Sequence, residues 1–207
     1  MKISTIIFDM GGVVVELTPE TAIKRFQEIG LKDARKRLDK YHQTGIFGDL
    51  EEGKITPEIF REELGKLTGK EHTYEECCYA WQGYASEVPK CNLDTLVSLR
   101  NQGYRLILLS NTNPYMMEWA MSDRFDGNGH PISHYFDSIY LSYQHHMMKP
   151  DAMFFRKVLA QENLVSGEVL FIDDGPRNVA AASQLGMHTF CPMEGADWTK
   201  EIIRMLS

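Results

Sequence analysis

The chain has 207 residues, 43% of them hydrophobic, and a formal net charge of −7, which is room for one good core plus a smaller attached unit and the wrong sign for gripping a nucleic-acid backbone. The apolar stretch after Lys2 is cut by Asp9 and Gly11-Gly12 before a signal-peptide core is complete, and no run reaches the ~18 apolar residues of a membrane span. Cys77, Cys78, Cys91 and Cys191 lack zinc-like spacing, and adjacent Cys77 and Cys78 are badly placed to bridge each other, so reduced thiols in a cytoplasm are expected.

Residues 3–8 form a short apolar run that predicts a buried strand, and it runs out on Asp9-Met10-Gly11-Gly12. From residue 19 to 86 the apolar positions change to helical spacing, as in Phe60, Leu64 and Leu67, and Thr18-Pro19 and Thr56-Pro57 read as helix starts with proline in the first turn. This stretch is too long for a crossover. Residues 18–88 are therefore expected to form a helical cap domain, inserted through 15–18 and 88–90 into a main domain of residues 1–17 and 89–207. Beyond it, helical patterns at 92–102, 151–162 and 177–185 alternate with strand-like runs at 105–109, 138–141, 168–172 and 187–190. That alternation predicts an α/β fold, a doubly wound parallel sheet of Rossmann-like type. Gly103, Gly167 and Gly186 fall where the helices should stop. There is no internal repeat.

A parallel sheet delivers all its strand ends to one edge, so polar residues that follow its strands can meet although they are distant in sequence. Asp9 closes the first strand beside a tight glycine turn, as a structural cap or as a reactive carboxylate. Ser110 and Asn111 follow the run at 105–109; alone they are a polar turn, and at a strand end they offer a hydroxyl, an amide and backbone N–H groups to phosphate oxygens. Lys149 sits in a Met-rich loop before Pro150, a surface lysine or a buried cation. Asp173 and Asp174 end another run, and two neighbouring acids there repel unless a cation joins them. One of the two as a helix N-cap is the plainer alternative. His145 and His146 have no metal-ligand companion and read as loop residues.

The order Asp9-Met10-Gly11-Gly12, Leu108-Leu109-Ser110-Asn111, Lys149-Pro150, Asp173-Asp174 resembles the haloacid dehalogenase superfamily, over nearly the whole chain. The resemblance implies a magnesium-dependent phosphatase with a small helical cap over the strand ends. By it Asp9 is nucleophile and Mg2+ ligand, the Gly11 carbonyl adds an oxygen, and Asp174 is a direct ligand. Asp173 is a second ligand or a partner outside the coordination sphere, and Asn178 orients a metal-bound water. Ser110, Asn111 and Lys149 bind phosphate, Lys149 holding it to the nucleophile.

One position departs from the superfamily. Most of its phosphatases carry an aspartate two residues after the nucleophile to protonate the leaving oxygen, where this chain has Gly11. Such acid–base help is worth ~100 to 10,000-fold, or about 3 to 5.5 kcal/mol. A subgroup resembling α-D-glucose-1-phosphate phosphatases shares the glycine, the Leu-Ser-Asn-Thr-Asn stretch and the double aspartate, so the change leaves activity possible. A leaving oxygen that holds charge easily, as in a sugar 1-phosphate or an aryl phosphate, tolerates the loss best. The expected partner is thus a small phosphate ester, with no nucleic acid and no membrane, and oligomeric state stays open. Two rivals stand beside it: a haloacid dehalogenase-type hydrolase, which needs no acid at Gly11 but leaves Asp173-Asp174 unexplained, and a weakly catalytic phosphate-binding protein. In the cap, Tyr41, His42, Phe47, Asp49 and Trp81 are candidates to face substrate or to pack the cap core. Residues 45–53 are expected as a specificity loop, with Glu51 and Glu52 solvated, while Trp119 and Trp198 are packing residues.

Overall fold

The computed structural model describes residues 3–39, 43–193 and 196–206. Among these residues there are seven strands: β1 (Thr5–Phe8), β2 (Glu16–Leu17), β3 (Ala85–Glu87), β4 (Arg105–Ser110), β5 (Ser138–Leu141), β6 (Val169–Ile172) and β7 (His188–Phe190). Five of them form one parallel sheet in the order β5-β4-β1-β6-β7, with Phe8 level with both Leu108 and Ile172. The first strand is therefore central. Residues leaving β1, β4 and β6 emerge side by side.

Side chains alternate across the sheet, and both faces are covered. Ile6, Phe8, Leu106, Leu108, Leu170 and Ile172 pack against α6 (Lys90–Asn101), α7 (Pro114–Ala120) and α11 (Trp198–Leu206). Ile7, Ile107, Leu109, Val169 and Phe171 pack against α9 (Ala152–Gln161) and α10 (Pro176–Gln184). This two-sided burial explains why the strands read as continuous apolar runs. Gly103 and Gly186 end α6 and α10 at φ 91° and 84°. Gly167 does not end α9: Asn163 adopts the left-handed turn at φ 55°, and Gly167 lies in a later turn. Asparagine can take that conformation through its short polar side chain.

Between β2 and β3, which pair as a short antiparallel ribbon, lie α1 (Pro19–Glu28), α2 (Ala34–Arg37), α3 (Ile46–Glu51), α4 (Pro57–Thr68) and α5 (Tyr74–Trp81). Pro57 opens α4, and the Thr56 hydroxyl accepts a bond from the Ile59 N–H. Thr73 and Glu76 form a reciprocal capping box on α5. Phe60 and Leu64 are buried, whereas Leu67, on the same face but in the last turn of α4, is 43% exposed. Phe26, Phe47, Phe60 and Trp81 make an aromatic cluster. It is closed by Tyr115 and Met116 of α7, and the Tyr115 hydroxyl donates to the Pro57 carbonyl at 2.7 Å. The four cysteines are free thiols. No helix among the described residues is long and apolar enough to cross a membrane.

Candidate active site

At the carboxyl edge of the sheet, residues far apart in the chain share one buried cluster. The Lys149 ammonium lies 2.9 Å from Asp9 Oδ1 and 2.7 Å from Asp173 Oδ2, with only 3% of the residue exposed. A carboxylate oxygen from each of Asp9, Asp173 and Asp174 falls within 4.8 Å of the others. Lys149 is thus not a surface lysine.

The backbone around each group fixes its aim. Asp9 Oδ1 also accepts the Met10 N–H at 2.6 Å. Asp173 is fully buried; its Oδ1 accepts from Gly175 N at 2.7 Å and Asn178 Nδ2 at 2.9 Å, and its Oδ2 from Lys149. Asn178 Nδ2 also reaches Oδ2, at 3.1 Å. Asn111 donates from Nδ2 to the Lys149 carbonyl and accepts the Lys149 N–H on Oδ1, at 2.8 and 2.9 Å. Its amide therefore clamps the lysine loop, which joins a cis Lys149–Pro150 peptide.

The electrostatics follow from crowding. Burial pushes the Asp9 carboxyl well above its usual range; Lys149 pulls it down, and Asp173 and Asp174 push it up again. For Lys149, burial works against the charged form, but Asp173 and Asp9 outweigh it and hold the ammonium above its ordinary value.

The glycines beside Asp9 serve different ends. Gly12 adopts φ +72°, and a Cβ there would lie 2.1 Å from Asp174 Oδ2. The backbone and that carboxylate are in close approach. Gly11 has no such backbone constraint; a Cβ on it would meet Leu17 Cδ1 at 2.8 Å, so any longer side chain requires Leu17 to move.

Asp9, Gly11, Ser110, Asn111, Lys149 and Asp174 line one cavity of about 90 Å3. Its far side is made by the helical insertion, through Glu51, Trp81 and Tyr84. Of the other expected contacts, Phe47 is buried in the aromatic cluster, Asp49 is half-buried away from the cavity, and Tyr41 and His42 lie outside the described residues. Residues 45–53 are not a loop: α3 occupies most of them, with Gly48 allowing the helix to approach the Gln43 carbonyl, which a Cβ would meet at 2.6 Å. His145 ends the short helix α8 (Ser142–His145), and the His146 ring meets the Gly53 carbonyl at 2.9 Å.

Glu51 is the residue that the sequence reading misplaced. It is buried, not solvated, and burial lifts its carboxyl to about 8, against a small opposing pull from the Asn113 side chain and a further push from Asp39. Phe47, Leu50 and Glu51 stand at i, i+3 and i+4, the spacing of one helix face. With two of the three apolar and buried, that spacing was the available signal.

The sequence pattern of haloacid dehalogenase-like hydrolases matches residues 3–186. The chain belongs to the haloacid dehalogenase-like hydrolases. Among members of this family, a D-ribitol-5-phosphate phosphatase of Bacteroides thetaiotaomicron is 45% identical over 99% of both chains. A predicted HAD-like hydrolase from Porphyromonas gingivalis superposes with a TM-score of 0.94 at 43% identity, over 100% of this chain and 98% of its own. A HAD family enzyme of B. thetaiotaomicron, solved in complex with magnesium and inorganic phosphate, gives a TM-score of 0.87 at 32% identity, over 96% and 98%. The superfamily expected from the four motifs is the one found.

Proposed function

We propose that this HAD-type phosphatase is magnesium-dependent and hydrolyses small phosphorylated sugars or sugar alcohols through a phosphorylated Asp9. The observation that carries the reading is the buried meeting of Asp9, Lys149, Asp173 and Asp174. Three carboxylates against one ammonium leave excess negative charge in a site with little water, a donor set that calls for a hard divalent cation. The relatives supply the substrate class: one is named for ribitol 5-phosphate, and another was solved with magnesium and phosphate.

Asp9 and Asp174, with the Gly11 carbonyl, would hold the ion, which supplies charge neutralisation for the nucleophile and the phosphoryl group. Asp173 stands beside it, because its two oxygens already receive bonds from Gly175, Asn178 and Lys149. Asp9 attacks phosphorus as the ester P–O bond breaks, and the oxygen leaving with the carbon chain takes its proton from water, since Gly11 supplies no acid. Lys149 holds the nucleophile in place and draws in the phosphoryl group. Ser110 is buried and spends its hydroxyl on nothing stronger than a 3.4 Å bond to the Asn111 carbonyl, so it serves a phosphate oxygen, while Asn111 contributes its backbone N–H. Water then hydrolyses the acyl phosphate. Residues 18–88 act as a cap domain that shields these steps from bulk water.

A screen of ribitol 5-phosphate, hexose 1-phosphates and aryl phosphates, with magnesium or with a chelator, tests the reading. Phosphate release should fall at least about 100-fold on chelation, since the ion contributes several kcal/mol. Activity on 2-haloacids that survives the chelator would favour the dehalogenase reading; magnesium-dependent binding of a phosphoryl mimic without turnover would favour a binding protein.

Gly12→Ala tests the ligand assignment separately. The new methyl, on a residue held at φ +72°, must push the Asp174 carboxylate aside, so calorimetric titration should show magnesium bound at least about tenfold more weakly. Unchanged affinity would remove Asp174 from the ligand set.

A further inference from the structure

The cavity has a second half that the phosphoryl chemistry does not use. Among the described residues, four buried side-chain polar atoms complete no hydrogen bond: Trp81 Nε1, Arg100 Nε, Thr112 Oγ1 and Asn113 Nδ2. Three of the four belong to residues that line this one cavity, and Glu51 lines it with them. Buried donors are almost always paired. Three such groups around one cavity mark a place that a ligand completes.

Their chemistry narrows what that ligand is. Trp81 Nε1 and Asn113 Nδ2 can only donate, Thr112 can donate or accept, and the Glu51 carboxyl, which the Asn113 amide faces without closing a hydrogen bond, offers an acceptor oxygen and, while it keeps its proton, a donor. Asn113 cannot turn its amide around to satisfy itself, because its Oδ1 accepts the Met116 N–H at 3.1 Å and caps α7. Glu51 is anchored too, its carbonyl accepting the Ser142 hydroxyl at 2.6 Å. An apolar group would leave the donors dry. A second anion would lie beside the acids of the phosphate site, and a cation would find two donors pointing the wrong way. A neutral group with several hydroxyls satisfies all four, since each hydroxyl both accepts and donates. The small volume, about 90 Å3, is below the range of drug-sized pockets and suits a short chain.

We infer that Glu51, Trp81, Thr112 and Asn113 form a hydroxyl-reading subsite that selects phosphate esters of polyhydroxylated carbon chains. This rests on the phosphatase reading above. The specificity determinants thus come from both sides of the cavity, Glu51 and Trp81 from α3 and α5, Thr112 and Asn113 from the turn after β4.

The test compares D-ribitol 5-phosphate with n-pentyl phosphate, a primary ester of the same length without hydroxyls, in the native protein, Trp81→Phe and Glu51→Met. Phenylalanine keeps a ring in the aromatic cluster while removing the N–H, and methionine keeps the length of Glu51 without its hydrogen-bonding oxygens, so both chains should fold. The native protein should prefer the ribitol ester. Each substitution should lower the ratio of kcat/KM for ribitol over pentyl ester about tenfold, mostly through KM, as expected for loss of one buried hydrogen bond. A ratio that stays within twofold of native in both variants, or a native protein that cleaves the two esters equally, overturns the subsite. α-D-glucose 1-phosphate as a third arm tells a cyclic sugar from an open polyol as the source of the hydroxyls. A native protein that releases phosphate from none of these, nor from an aryl phosphate, overturns the phosphatase reading itself.

Discussion

Asp9→Asn should reduce phosphate release from every ester by at least about 10,000-fold, because an amide forms no acyl phosphate and the remaining groups only bind and polarise. The fold should survive. Asparagine matches aspartate in size, can still accept the Met10 N–H, and leaves Lys149 paired with Asp173 at 2.7 Å, so no buried ammonium is stranded. Removing one of three crowded carboxylates also spares the fold a buried charge and its repulsion by Asp173 and Asp174. Single-turnover assays with far-ultraviolet circular dichroism check both halves. A variant that retains more than a tenth of native turnover would mean that water attacks phosphorus directly, with Asp9 serving only as a ligand.

Glu51→Gln should make the protein more stable above neutral pH. The native carboxyl keeps its proton to about pH 8, whereas in the unfolded chain it ionises near its ordinary value of 4.5. Between those values the unfolded state binds fewer protons than the native one, so native stability falls as pH rises through the window. Below pH 4.5 both states are protonated and the wild-type residue imposes no penalty. Above pH 8 the full difference applies, of order 4–5 kcal/mol at 1.36 kcal/mol for each pKa unit. Urea denaturation of the two proteins across pH 4 to 9 should give curves that coincide at the acid end and diverge upward. Parallel curves would mean that Glu51 is ionised and solvated in the folded chain.

The sheet and its edge were legible in the sequence because parallel burial leaves a strong trace. Strands covered on both faces must be apolar throughout, and the polar residues that break those runs at Asp9, Ser110 and Asp173 mark where the chain leaves the sheet. Lys149 was legible through its motif, not its surroundings, since nothing local distinguishes a buried lysine in a loop. The insertion was harder to read. Gly45, Gly48 and Gly53 lower helix propensity, so α3 looked like a loop, and its one functional acid looked like a surface charge. What compensates is tertiary: Gly48 permits a close backbone approach to Gln43, and the Phe47 and Leu50 side chains are fully buried. Asn111 shows a second limit. Its residue type suits phosphate, but only the three-dimensional structure shows both ends of its amide turned to the backbone of Lys149.

Tyr115 and Met116 belong to α7 of the sheet layer and at the same time to the apolar centre of the helical insertion. Hinging that insertion away would wet both side chains, at about 1.5–3 kcal/mol each, which keeps a wide-open form below about one molecule in a hundred. Traffic of ester and product is accordingly a matter of local breathing at the rim, and a protein bolted in this way melts as one cooperative block.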